Sequence, residues 1–183
     1  SKGVILVEGD AEEFLLPSLS ELHGIDLDKH GITVCSVSGT NFLPYIKLLG
    51  SEGLNIPFAI LTDYDPRDTL PLIHNRLITL LNFIDREHEY KDLVTEDLIT
   101  YGKEFGIFTN SHTLEVDLFD TMPDEITETL IELTTNSKAI IRAQGWKLAS
   151  SIRGDEKSYL SDIENIGKGR FAQRLSTNLT KSS

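Results

Sequence analysis

Hydrophobic positions divide the first 110 residues into four short apolar runs, each followed by a turn and most by a helical pattern. Residues 4–7 (Val-Ile-Leu-Val) are an unbroken, largely β-branched run, the signature of a strand covered on both faces in a parallel sheet. The run stops at Glu8-Gly9-Asp10. Residues 11–23 carry Phe14, Leu15, Leu19 and Leu22 at spacings that place them on one helical face, with Gly24 as the stop. Pro17 sits late in that pattern and predicts a kink or a two-step start. The unit then recurs. Residues 32–37 read as a strand, Ser38-Gly39-Thr40-Asn41 as a turn with helix-capping residues, and 42–49 as a helix ended by Gly50. Residues 57–62 form a third strand running into Asp63-Tyr64-Asp65-Pro66, with a mostly helical stretch over 70–86. Residues 106–109 form a short fourth strand. Strands alternating with helices imply a parallel sheet with right-handed crossovers, whose ligands bind outside the strands' carboxyl ends. Glu8, Gly39, Asp63 and Thr109 fall at such ends.

After Asn110 the period changes. Residues 114–119 (Leu-Glu-Val-Asp-Leu-Phe) alternate apolar and acidic, which predicts a half-buried strand. Helices are expected over 123–134, 138–150 and 157–165. Gly167-Lys168-Gly169 acts as a breaker before a last helix at 170–179. Residues 85–104 read as mixed-charge helix and loop over the surface. The expected organisation is a catalytic α/β core over 3–120 and a helical, basic extension over 121–183 packed on it. Only three residues precede the first core strand, as expected of a module excised from a longer protein.

Charge adds to this picture mainly through its distribution. The 183 residues carry a formal net charge of −12, which excludes a generally basic nucleic-acid coat. Residues 138–183 nevertheless hold nine Lys and Arg against four acids, whereas 1–137 hold eight against twenty-five. An acidic body with a basic tail suits a cation-concentrating site beside a surface that accepts anions, although solvated helix faces give the same count. The single cysteine, Cys35, excludes a disulfide framework and a multi-cysteine zinc site, and its strand context predicts a small core residue. No run approaches the roughly 18 apolar residues of a membrane span, and no signal-peptide pattern opens the chain, so a soluble, cytoplasmic protein is expected.

Four strand-end carboxylates carry the chemistry. Glu8 closes the first strand and Glu12 lies one helical turn on. Asp63 and Asp65 follow the third, and their i, i+2 spacing on extended chain points them the same way. If the first and third strands are neighbours, all four converge, and so many carboxylates together call for a cation. Hard oxygen donors select Mg²⁺ or Mn²⁺ over zinc, and a pair of such ions would clamp the attacking and leaving oxygens of a phosphodiester. Singly, Glu8 could cap a helix and Asp63 could open a turn.

Together, Val7-Glu8-Gly9-Asp10-Ala11-Glu12, Ser38-Gly39-Thr40-Asn41 and Asp63-Tyr64-Asp65 resemble a Toprim domain, the fold shared by topoisomerases, primases and certain nucleases. The longer pattern over 4–17, 37–46 and 60–66 is similar to the Toprim half of the OLD (overcoming lysogenization defect) endonucleases, where it follows an ABC-type ATPase domain. The resemblance implies a Toprim-like (Rossmann-like) α/β fold and metal-dependent cleavage of DNA by two Mg²⁺ or Mn²⁺ ions. It implies Glu8, Glu12, Asp63 and Asp65 as metal ligands, with Glu8 and Asp63 catalytic and Gly39 as the glycine that ends the second strand. It also implies further downstream acids, for which Glu115 and Asp117 are the candidates, and a late catalytic lysine, for which Lys168 is the candidate. Lys168, Arg170 and Arg174 are the expected DNA contacts. No Gly-x-x-x-x-Gly-Lys-Ser/Thr loop occurs, so the partner ATPase domain is expected elsewhere in a longer protein. Nothing in the sequence fixes an oligomeric state.

Two other readings compete. A signalling receiver domain would use Glu8 and Asp10, Asp63, Thr109 and Lys168. It needs neither Glu12 nor Asp65, and it ends near 120 residues. A Toprim module without catalysis would serve as a DNA-repair scaffold, against which the intact acidic set argues. His23, His30, His74, His88 and His112 show no metal spacing, and only His112 falls near the expected site. Trp146 and the phenylalanines fall at helical core positions, as packing residues would.

Overall fold

The structure, a computed structural model, describes residues 1–64, 72–85 and 90–181. The chain runs β1 (Gly3–Val7), α1 (Asp10–Leu22), α2 (Leu27–His30), β2 (Ile32–Ser36), α3 (Leu43–Leu49) and β3 (Phe58–Thr62). It continues through α4 (Leu72–Ile84), α5 (Thr95–Glu104), β4 (Ile107–Thr109) and α6 (Leu114–Thr121). Then come α7 (Pro123–Leu133), α8 (Ser137–Ala149), α9 (Glu156–Ile166) and α10 (Lys168–Lys181). Two compact units emerge: Ser1–Gly9 with Asp26–Thr113, and Asp10–Ile25 with Leu114–Ser183. This grouping does not follow the expected division at residue 120, because α1 and α6 fall in with the C-terminal helices.

The first unit is built on a four-stranded, fully parallel sheet in the order β2-β1-β3-β4. Leu6 pairs in register with Cys35 on one side and Ile60 on the other, and Ile60 pairs with Ile107. The four anticipated strands are present, and the first and third are neighbours as required. Leu6 and Val7 are fully buried, in keeping with an apolar run at the centre of a sheet. On α4, Ile73, Leu77, Leu80 and Leu81 recur at helical spacing and form the buried face. Cys35 is half-buried and packs against the core of the sheet unit from the edge strand β2. Two helices resolve what the sequence left general. The single turn α2 is capped by the Asp26 carboxylate, which accepts from the Lys29 N–H, and closed by Gly31 at φ +71°. The helix α5 lies within the mixed-charge stretch.

Among the described residues of the second unit the regular elements are all helices. Its core gathers Leu15, Phe119, Ile126, Tyr159, Phe171 and Leu175, with Trp146 and Phe119 each meeting the Tyr159 ring edge-on. Residues 114–119 are not a strand but the body of α6. Leu114 and Leu118, and likewise Glu115 and Phe119, are buried four residues apart, which is a helical period. The alternating acids misled because a six-residue pattern fits both periods. Acids in a first turn also favour a helix through its dipole. Similarly, α1 buries Ala11, Glu12, Leu15 and Ser18 and leaves Phe14 and Leu22 exposed, so its inner face is rotated from the expected one. Trp146 is core as anticipated, whereas Phe14, Phe83 and Phe108 are exposed. No described helix is long and apolar enough to cross a membrane.

Candidate metal centre

The carboxyl ends of β1 and β3 deliver Glu8 and Asp63 to one place. Their strands are registered at Leu6 and Ile60, two residues before Glu8 and Thr62, so a carboxylate from β1 lies level with the end of β3. The Asp63 N–H donates to Glu8 Oε1 at 2.9 Å. The same oxygen accepts from the Thr62 hydroxyl and from Arg76 Nη1, the latter at 2.6 Å. Arg76 Nη1 also reaches Thr62 Oγ1 at 2.6 Å and the Asp63 carbonyl at 3.1 Å. Asn110, just after β4, donates through Nδ2 to Asp63 Oδ1 and accepts the Tyr64 N–H through Oδ1 at 3.0 Å. On the other flank the Gly39 N–H donates to the Glu8 carbonyl at 2.7 Å, with Gly39 at φ +135°, where a side chain would be strained.

This geometry fixes one Glu8 oxygen and leaves the other. Oε1 takes three donors, while among the described residues no hydrogen bond reaches Oε2. The Glu8 side chain is 18% exposed, so it is neither sequestered nor loose. An all-oxygen donor set of this kind fits a hard divalent cation. Among the described residues no three Asp, Glu, His or Cys side chains are already gathered as a cage. Asp65, an expected ligand, lies outside the described residues.

The remaining expected residues fall in the helical unit. Glu12 is buried on α1. Glu115 is 3% exposed in the first turn of α6, paired with Lys168 Nζ at 3.0 Å, and its carbonyl accepts the Tyr159 hydroxyl at 2.7 Å. Burial, and then the Glu115 charge, push the Tyr159 phenol well above its usual range. Asp117 is half-buried on the same helix. Lys168 does not sit in a glycine loop. Gly167, at φ +95°, caps α9, and Lys168 opens α10. Arg170 is exposed two residues on, and Arg174, one turn further, is held by the Glu132 carboxylate through two of its nitrogens.

Sequence reasoning missed Arg76, Thr62 and Asn110. Thr62 and Asn110 flank strand ends already flagged, so position alone could have found them. Arg76 lies inside an amphipathic helical pattern, 14 residues beyond Thr62, and nothing local marks it. His112 Nδ1 and Thr113 Oγ1, two and three residues past Asn110, are buried without hydrogen-bond partners among the described residues.

A family profile described as the Toprim domain of overcoming-lysogenization-defect-like proteins matches residues 1–65. The C-terminal region of the Burkholderia pseudomallei OLD protein superposes with a TM-score of 0.88 at 42% identity, covering 97% of this chain and 88% of that one. The C-terminal region of the Xanthomonas campestris pv. campestris OLD protein, in its iodine-phased structure, does so with a TM-score of 0.85 at 45% identity, covering 97% and 85%. No curated protein matches the chain. Identity above 40% over nearly the whole length, on a parallel sheet whose strand ends carry Glu8 and Asp63, leaves one conclusion: the chain belongs to the OLD-like Toprim family.

Proposed function

We propose that the chain is the nuclease part of an OLD protein, hydrolysing DNA phosphodiester bonds with two divalent cations, Mg²⁺ or Mn²⁺. The observation that carries this reading is the meeting of Glu8 and Asp63 across β1 and β3, joined by the 2.9 Å hydrogen bond. Glu8 and Asp63 would hold the cation. Asp65, Glu12, Glu115 and Asp117 are the further candidate ligands that the family resemblance supplies. Bound divalent ions would contribute Lewis acidity and a neutral-pH nucleophile to phosphodiester hydrolysis.

The chain's own residues do the rest. Thr62, the Asp63 N–H and Arg76 fix Glu8 Oε1, and Asn110 fixes Asp63 Oδ1, so both carboxylates are aimed before any ligand arrives. The Lys168 ammonium is the proposed stabiliser of charge developing on the phosphate, and Arg170 and Arg174 are the proposed DNA-backbone contacts. An ATPase domain in the same full-length protein is the proposed partner. The test is incubation of supercoiled plasmid with the chain and Mg²⁺ or Mn²⁺. Nicked or linear product, abolished by EDTA and by Asp63→Ala, is expected. Intact plasmid at high concentration of folded, cation-loaded protein would refute the reading.

A further inference from the structure

Arg76 poses a physical question that metal binding by Glu8 does not answer. A guanidinium 2.6 Å from a proposed metal ligand can act in two ways. It can compete with the cation for the carboxylate, or it can hold one oxygen so that the other is presented. These alternatives predict opposite signs for the effect of removing it.

The geometry points to the second. Arg76 sits on α4 between Ile73 and Leu77, both fully buried, so its backbone is anchored by the core and its side chain is only 11% exposed. It bridges two strands rather than shadowing one acid, since its Nη1 meets Glu8 Oε1, Thr62 Oγ1 and the Asp63 carbonyl. Thr62, itself 1% exposed, turns its hydroxyl proton to Glu8 Oε1 and its lone pair to Arg76. All these donors converge on Oε1. A competing counter-ion would be expected to straddle both carboxylate oxygens in the bidentate manner open to arginine. Here all three donors among the described residues meet Oε1 and none of them meets the second oxygen. We infer that Arg76, with Thr62, is a positioning residue for Glu8, clamping Oε1 and presenting Oε2 to the divalent cation.

The inference rests on the metal-dependent reading above, and its test separates the two. Mn²⁺ binding to the chain is measured without DNA, by the electron paramagnetic resonance signal of free Mn²⁺, for wild type, Arg76→Met and Thr62→Val. Loss of an outer-shell partner weakens metal affinity by about 10- to 100-fold. That loss is expected for Arg76→Met, with a smaller loss in the same direction for the near-isosteric Thr62→Val. If Arg76→Met does not fold, as judged by circular dichroism, Thr62→Val decides alone. Unchanged or tighter binding in the folded variants, with wild type still binding Mn²⁺, overturns the positioning role and leaves the metal reading standing. Wild-type protein that binds no Mn²⁺ overturns both.

Discussion

The sheet unit and the helical unit each enclose a carboxylate, and they stabilise it by different means. In the sheet unit Glu8 is met by a hydroxyl, a backbone amide and a guanidinium, all on one oxygen at the end of a parallel strand. In the helical unit Glu115 is more deeply buried and is met by the Lys168 ammonium, itself 45% exposed. Directional donors from a strand end and from a core-anchored helix fix where a carboxylate points. A flexible lysine neutralises charge without fixing orientation. The first arrangement suits a ligand that must present a particular oxygen, and the second neutralises a buried charge while leaving the half-exposed Lys168 mobile enough for the role proposed for it on the phosphate.

Four substitutions would break or sharpen that contrast. The largest effect is expected from Asp63→Ala in the sheet unit, a fall in plasmid cleavage of about 10²- to 10³-fold, because losing a ligand disables the cation that would stabilise the developing charge. Circular dichroism should show the fold unchanged. In the helical unit, Lys168→Met leaves Glu115 buried beside an apolar side chain. Urea denaturation should show a stability loss of about 1–2 kcal/mol, less than for a fully buried pair because the lysine is half in solvent.

Tyr159→Phe removes the hydrogen bond to the Glu115 carbonyl and should cost about 1 kcal/mol at neutral pH. It also carries a pH signature. The folded phenol resists ionisation because burial and then Glu115 raise its pKa above the ordinary value of 10.0. The unfolded phenol therefore ionises first. The tyrosine's contribution is whole below about pH 10 and declines as the pH rises past it. Wild type should lose stability more steeply in that range than the Phe variant, and parallel curves would contradict the assignment. The smallest effect is expected on the solvent side of α8, where Leu148 is 90% exposed. Leu148→Ser should change stability by no more than about 0.5 kcal/mol.

The same contrast governs what was legible in the sequence. The β-branched run at 4–7 has no helical alternative of comparable quality, and each strand of the sheet unit is punctuated by turn residues, so its four strands and their parallel direction could be derived, whereas the short helix α2 and the adjacency of β1 and β3 could not. The acids at the ends of β1 and β3 were found because strand ends are where such sheets bind ligands. The helical unit lacks that punctuation. Residues 114–119 satisfy both periods, and only the burial of Glu115 beside Phe119 and Tyr159 resolves them as helix. Gly167-Lys168-Gly169 looked like a loop because two glycines flank a lysine, yet only Gly167 needs its positive φ, and Gly169 sits inside α10. Arg76 was invisible for a different reason: its role depends on a contact made across 68 residues of sequence.

The central claim is that the ends of β1 and β3 bind a divalent cation through Glu8 and Asp63. Crystals of the chain grown or soaked with Mn²⁺ and measured at the manganese edge test it most directly. The account predicts an anomalous peak bonded to carboxylate oxygens of both residues, with Arg76 still on Glu8 Oε1. Saturating Mn²⁺ with no peak at either carboxylate would contradict it.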